Sequence, residues 1–264
     1  MCTVDQLPIG SLVEFGVFTG RMGYQSELLW QKVSSRNDFM TVDALSTTVV
    51  FDQQEPGNLN TARQNNGNNF FPHSNVLQWL NSDALDGWYK AKHHADQYRP
   101  GFNYFTRGGF LSAFTPAEKE AMQVVKVRGS VPTGSRQQHG KTYEVDCRVY
   151  LPSDVELTGR MSFDHDDVGD QQFEFYQRNV ISPYQGIMTR TPYNKSVCCI
   201  CRIDPYGGLH SVPANCSVRC KPVIRLKPDA KLNPPAEDPS GHVYTLKGVS
   251  QIIQDDDLFK ILGL

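Results

Sequence analysis

The chain has 264 residues, of which 39% are hydrophobic and 20% charged, and its net charge is −2. That length holds one large domain or two small ones, with a core that needs no disulfide or metal to fold. The composition excludes a disordered or fibrous chain, and the small net charge argues against holding nucleic acid or an anionic membrane through bulk charge.

The start, Met1-Cys2-Thr3-Val4-Asp5-Gln6-Leu7-Pro8, has neither the basic nor the apolar part of a secretory signal. No run of about 18 apolar residues offers a membrane span. The expectation is synthesis in a cytosol, with cysteines that begin as thiols.

Short β-branched or aromatic runs predict strands at 11–18, 28–33, 47–51, 148–151, 186–190 and 218–226. Residues 197–203 alternate, with Val197, Cys199, Cys201 and Ile203 on one face and Cys198, Ile200 and Arg202 on the other. Asp204-Pro205-Tyr206-Gly207-Gly208 then reads as a turn, and 209–212 as the returning strand of a hairpin. Helices are signalled by Ser74 before 75–81, and by the capping boxes Thr115-Pro116-Ala117-Glu118 and Ser153-Asp154-Val155-Glu156. After the first box, Ala117, Ala121, Val124 and Val125 recur at helical spacing. The stretches 58–69 and 128–141 read as long polar connections. Together these predict an α+β fold: β-rich, two main helices, long loops on a rigid frame.

Pro228, Pro234, Pro235 and Pro239 mark 228–248 as a linker. The expected organisation is a domain over 1–227, that linker, and a docking tail over 249–264, which either packs back on the domain or attaches it to something else.

Seven cysteines are present, five of them between Cys198 and Cys220. Neighbours on a strand point to opposite faces, so Cys198 and Cys199 do not serve one metal easily. Cys199, Cys201, Cys216 and Cys220 remain a possible zinc set, beside the readings of buried apolar thiols or a disulfide. Residues 164–170 carry four Asp and one His, a density that suits calcium or a solvated loop, without the spacing of an EF-hand. Trp30, Trp79 and Leu80 read as core, and Asn81 as a helix end made with a side-chain hydrogen bond, since asparagine tolerates the left-handed cap. Arg190 is open between a structural ion pair and a ligand contact.

Several short motifs occur in a fixed order. They are Leu29-Trp30-Gln31-Lys32-Val33, Ser74 with Trp79-Leu80-Asn81, Phe110-Leu111 before Phe114 and Glu118, Tyr150-Leu151-Pro152-Ser153 with Glu156, Thr189-Arg190-Thr191-Pro192, and Val218-Arg219-Cys220-Lys221-Pro222. This ordered set resembles an uncharacterised bacterial and phage domain family. That family is similar to a branch of the C-type-lectin-like fold near the formylglycine-generating enzymes. The same branch holds ligand-binding proteins diversified by retroelements in phages and bacteria. The resemblance implies a C-type-lectin-like domain whose late segment faces a ligand, and places Cys216 and Cys220 near the oxidising cysteine pair of the enzymes.

On that basis the candidate ligand-binding residues are Arg190, Tyr193, Asn194, Arg202, Asp204, Tyr206, His210 and Asn215. Tyr, Asn and Arg suit such a surface because they offer contact area and adaptable hydrogen bonds. The expected function is non-enzymatic: a phage virion- or tail-associated adhesin binding a host-surface protein or glycan, displayed as a homo-oligomer. The tail would hold other virion proteins. No cofactor, catalytic residue, metal, nucleic-acid partner or membrane span is expected, and the expected location is the virion, or the bacterial cytoplasm before assembly. The alternatives are a structural or decoration protein of a phage particle, and an oxidoreductase of the formylglycine-generating type.

Overall fold

The frame is a large curled sheet whose strands come from both ends of the sequence. A computed structural model describes residues 2–20, 24–45, 49–52, 67–89, 108–131, 142–161, 168–179, 186–193, 196, 198–204, 206–216, 218–234 and 243–246. Among these, fourteen strands and three short α-helices give a β-rich α+β architecture.

The first strands are β1 (Cys2–Thr3), β2 (Leu12–Thr19), β3 (Gln25–Lys32) and β4 (Asp38–Thr41). Next come α1 (Asn75–Leu80), α2 (Pro116–Ala121), β5 (Val125–Ser130), β6 (Thr142–Cys147), β7 (Val149–Tyr150) and α3 (Asp154–Thr158). The last strands are β8 (Ile187–Pro192), β9 (Cys199–Ile203), β10 (Leu209–Pro213), β11 (Arg219–Cys220), β12 (Val223–Arg225), β13 (Lys231–Asn233) and β14 (Val243–Leu246). Eight strands form the main sheet in the order β1-β13-β14-β2-β3-β4-β12-β7. A second sheet has the order β10-β9-β8-β11, and β5 pairs with β6 alone.

The three capping signals hold. The Ser74 hydroxyl accepts the Leu77 amide, and the boxes at Thr115–Glu118 and Ser153–Glu156 close in both directions. Glu118 does more than cap. One carboxylate oxygen takes the Thr115 amide at 2.6 Å and the other the Gly16 amide at 2.7 Å. Gly16 sits at the bulge that shifts the β2–β3 register between Glu14 and Val17. Its φ of +79° favours glycine, and the Phe114 ring occupies the space a Cβ would take. Trp30 is fully buried above this point, stacked on Phe15 with centroids 5.3 Å apart, its indole nitrogen donating to the Phe15 carbonyl. Trp79 and Leu80 are also core.

Several expectations change. The linker reading of 228–248 is corrected, because β13 joins β1 and β14 runs parallel to β2. The domain therefore reaches at least Leu246. Residues 249–264 lie outside the described residues. The helix after Thr115 stops at Ala121, leaving Val124 58% exposed, and Val125 begins a strand. Val125 and Val127 alternate with Lys126 and Arg128, a period of two that the helical spacing of Ala117 and Ala121 overlaid. That strand and β6 also shorten the expected 128–141 connection, of which 132–141 lie outside the described residues.

The single strand over 218–226 divides at Lys221-Pro222 into β11 and β12, which belong to different sheets. Proline cannot donate to a ladder, so the chain crosses from one sheet to the other there. Of the expected strand over 47–51, Thr47 and Thr48 lie outside the described residues, and Val49 and Phe51 are buried in irregular chain. Asn81 ends α1 with the expected side-chain hydrogen bond, its amide group donating to the Leu77 carbonyl, but at φ −109° rather than in the left-handed region; the same side chain also bonds the Val149 carbonyl and accepts the Arg148 and Val149 amides.

The start of the chain is held by Lys32. Its buried ammonium donates to the carbonyls of Val4 (2.9 Å) and Leu7 (2.8 Å), and burial pushes it below the usual lysine range.

Gly16→Ala is expected to destabilise the protein by about 2–4 kcal/mol in urea unfolding, from a disallowed φ together with a clash against Phe114. A loss under about 0.5 kcal/mol, the range of a neutral surface change, would show that the bulge adapts.

Candidate functional site

The late segment is organised around a buried arginine. Arg190 lies on β8 and is 2% exposed. Nε donates to the Arg128 carbonyl at 3.1 Å. Nη1 donates to the Leu151 carbonyl (3.0 Å) and to Glu156 (2.5 Å), and Nη2 to Glu156 (3.2 Å) and Asp170 (2.8 Å). A guanidinium has five N–H donors, and all five meet protein acceptors. The plane also sits 5.6 Å over the Tyr150 ring. Of its two open readings, the structural ion pair is the one observed; no donor is left for a ligand, which removes Arg190 from the candidate surface.

Burial pushes the Glu156 carboxyl above its usual range against the pull of Arg190, while the paired carboxylates hold Arg190 firmly charged. Asp170, from the acidic run, is committed to this cluster. The rest of that run, 162–167, lies outside the described residues. Arg190→Met leaves the buried Glu156 and the half-buried Asp170 without a cation, and a loss of about 3–5 kcal/mol in urea unfolding is expected. Arg190→Lys is expected to lose much of the same stability, because an ammonium has three donors for five acceptors.

The hairpin is formed as expected. β9 and β10 pair antiparallel with Arg202 opposite His210, and β10 is the outer edge of its sheet. The turn is built on Asp204. Its carboxylate accepts the amides of Tyr206 (2.8 Å) and Gly208 (2.7 Å), and its other oxygen lies 2.9 Å from His210 Nε2. Gly207 takes the required positive φ of +80°. Tyr206 stands at the tip, 89% exposed. Arg202 lies across Gly186, and its Nε is buried with no hydrogen-bond partner among the described residues.

The candidate residues therefore separate. Arg202, Asp204, Tyr206 and His210 share the hairpin tip. Tyr193 and Asn215 lie at its other end, since the Tyr193 amide donates to the Cys199 carbonyl and Asn215 follows β10. Four residue steps along the strand put the two groups about 13 Å apart. Asn194 lies outside the described residues. Sequence reasoning missed Asn69, which is fully buried. Its amide nitrogen bonds the carbonyls of Ser196 (2.7 Å) and Cys199 (2.6 Å), fixing the chain before β9. Lying at the end of a polar run, it gave no local signal.

All seven cysteines are free. Cys201 and Cys220 are buried, and burial pushes Cys220 up to about 12. β8 separates β9 from β11, which puts Cys201 and Cys220 roughly 10 Å apart, too far for one metal. Among the described residues no three His, Cys, Asp or Glu side chains are placed to hold a metal ion. No described helix is long and apolar enough to cross a membrane.

The sheet pairing, the capped helices and the buried arginine define a β-rich α+β domain with its irregular connections on the outside. The chain belongs to the DUF6273 family, a domain of unknown function, which matches residues 41–228. The match runs from the end of β4 to just past β12 and leaves out β1–β3, β13 and β14. No curated protein and no solved structure matches the chain.

Four factors hold the Asp204 carboxyl below its usual value of 3.8: the Gly208 amide above all, then the His210 side chain, the Tyr206 amide and the charge of His210. A lowered folded value means that the carboxylate supports the turn above the usual value and loses that role as pH falls through the folded one. In NMR titrations the Tyr206 and Gly208 amides are expected to shift together below pH 3.8, and Asp204→Ala is expected to remove both transitions. Independent titration of the two amides would mean that they do not share this acceptor.

Proposed function

We propose that the protein is a non-enzymatic recognition module whose ligand surface is the tip of the β9–β10 hairpin. One observation carries this reading: a tyrosine almost wholly exposed on a turn that its own carboxylate anchor holds rigid. An exposed aromatic side chain on a fixed backbone offers contact area at small conformational cost, which is what recognition surfaces use. Arg202 and His210 flank it as polar partners. The finer fold reading, a C-type-lectin-like domain, belongs to the same proposal. It is supported by the resemblance in the ordered motifs and by terminal strands that meet in the main sheet.

The setting we propose is a phage particle, with the module displayed in several copies as a virion- or tail-associated adhesin for a host-surface protein or glycan. Weak single contacts then add through avidity. A structural or decoration protein of such a particle is the alternative, and copy number and position in a purified particle separate the two. The formylglycine-generating reading gains nothing from Cys220. Its thiol is buried and its acidity suppressed, the opposite of a reactive pair.

The test is binding of the labelled, multimerised full chain to a glycan array and to a panel of intact bacteria. Selective binding is expected. Tyr206→Ala combined with Arg202→Ala is expected to abolish it, and Tyr206→Ala alone, at an exposed position, is expected to weaken it while the melting temperature stays within about 2 °C, as for surface changes. Full binding by a folded double variant would move the ligand face elsewhere, and absence of binding to either panel would overturn the adhesin reading.

A further inference from the structure

A concave surface lies beside the Arg190 cluster. It is a cleft of about 200 Å³, and Arg36, Lys126, Arg128 and Arg225 line it beside Tyr150 and the Arg190 cluster. The four cationic side chains come from the turn before β4, from β5 and from β12.

Each arginine is anchored in the same way. The Asp38 carboxylate is fully buried and also accepts the Ser34 hydroxyl at 2.6 Å. It holds Nε of Arg225 at 2.8 Å and Nε of Arg36 at 3.2 Å. Glu144 holds Nε of Arg128 at 2.8 Å, and Lys126 Nζ is 3.3 Å from its other oxygen. In all three arginines the inner nitrogen makes the contact, and the terminal amino groups meet no acceptor among the described residues.

With Arg190 included, five cations stand beside the carboxylates of Asp38, Glu144, Glu156 and Asp170, and Glu174 lies close enough to feel the charge of Arg36, so the charges balance. What the cleft offers is pre-oriented N–H donors rather than a broad field. Guanidinium groups with both terminal amines free match the geometry of an oxyanion, and anchoring through Nε lowers the cost of ordering them.

We propose that this cleft binds an oxyanion: the carboxylate, sulfate or phosphate group of a small ligand. Arg36, Arg225, Arg128 and Lys126 donate to it. Asp38 and Glu144 are positioning residues, and the Arg190 cluster forms part of the wall without contributing donors. The proposal stands independently of the hairpin surface.

The experiment is NMR titration of the ¹⁵N-labelled full chain, following the arginine Nε–H signals. Inorganic phosphate, sulfate and acetate serve as probes, with ionic strength held constant by sodium chloride. Saturable shifts at Arg36 and Arg225 are expected with at least one probe. Response to phosphate and sulfate alone assigns a tetrahedral oxyanion, and response to acetate alone a carboxylate. Arg36 and Lys126 are more than half exposed, so Arg36→Gln with Lys126→Gln keeps the fold, checked by melting temperature. The double variant is expected to bind roughly tenfold more weakly or worse, as loss of charged hydrogen bonds implies. Shifts that grow linearly without saturation, no shift with any probe, or unchanged affinity in the folded double variant overturn the proposal.

Discussion

Five hydrogen bonds from one buried guanidinium tie together parts of the chain that have no other reason to meet. Arg190 enters from β8, and its acceptors are the backbone of β5, the chain end after β7, the capping carboxylate of α3 and Asp170. Glu156 is already fixed, because its carboxylate takes the Ser153 amide as half of the capping box. The charge therefore meets an acceptor that the helix start has oriented. This offsets much of the cost of removing three charged groups from water, and it makes removal of any one of them severe. Because β8 is the strand on which β9 and β10 are built, the position of the hairpin depends on this cluster.

The same device recurs at smaller scale. Glu118 closes its own helix start and reaches the bulge in β2, so a capping carboxylate again sets a tertiary contact. Asp38 gathers Ser34, Tyr150 and two arginines at the edge of β4. Asp204 holds the turn of the hairpin with the two amides nearest to it. The protein thus uses carboxylates as fixed acceptors beside the two surfaces proposed to bind. One surface is an exposed tyrosine on a turn, and the other a set of guanidinium groups whose terminal amines meet no acceptor among the described residues. They differ in chemistry, the first suited to shape and apolar contact, the second to a single charged group.

Local signals in the sequence determined the helix starts, the β9–β10 hairpin and its Asp-Gly turn, and the burial of Trp30, Trp79 and Leu80. Each depends on residues within a few positions of one another: a hydroxyl before a helix, a glycine with positive φ, an alternating run. Where two periods overlapped, as at Val124 and Val125, the local signal misled, because burial in the pairing of β5 with β6 decided the outcome. Tertiary structure alone decided that Lys231–Asn233 and Val243–Leu246 are strands, since their proline-rich surroundings read as linker until β1 and β2 supply partners. It alone decided that Arg190 is a structural residue, because its acceptors lie 20 to 62 positions away. It alone assembled the cleft, in which Asp38 and Arg225 meet across a separation of 187 residues. The physical reason is the same throughout. A cap or a turn is satisfied by its own neighbours, whereas a buried charge or a sheet edge is satisfied only by whatever the folded chain brings to it.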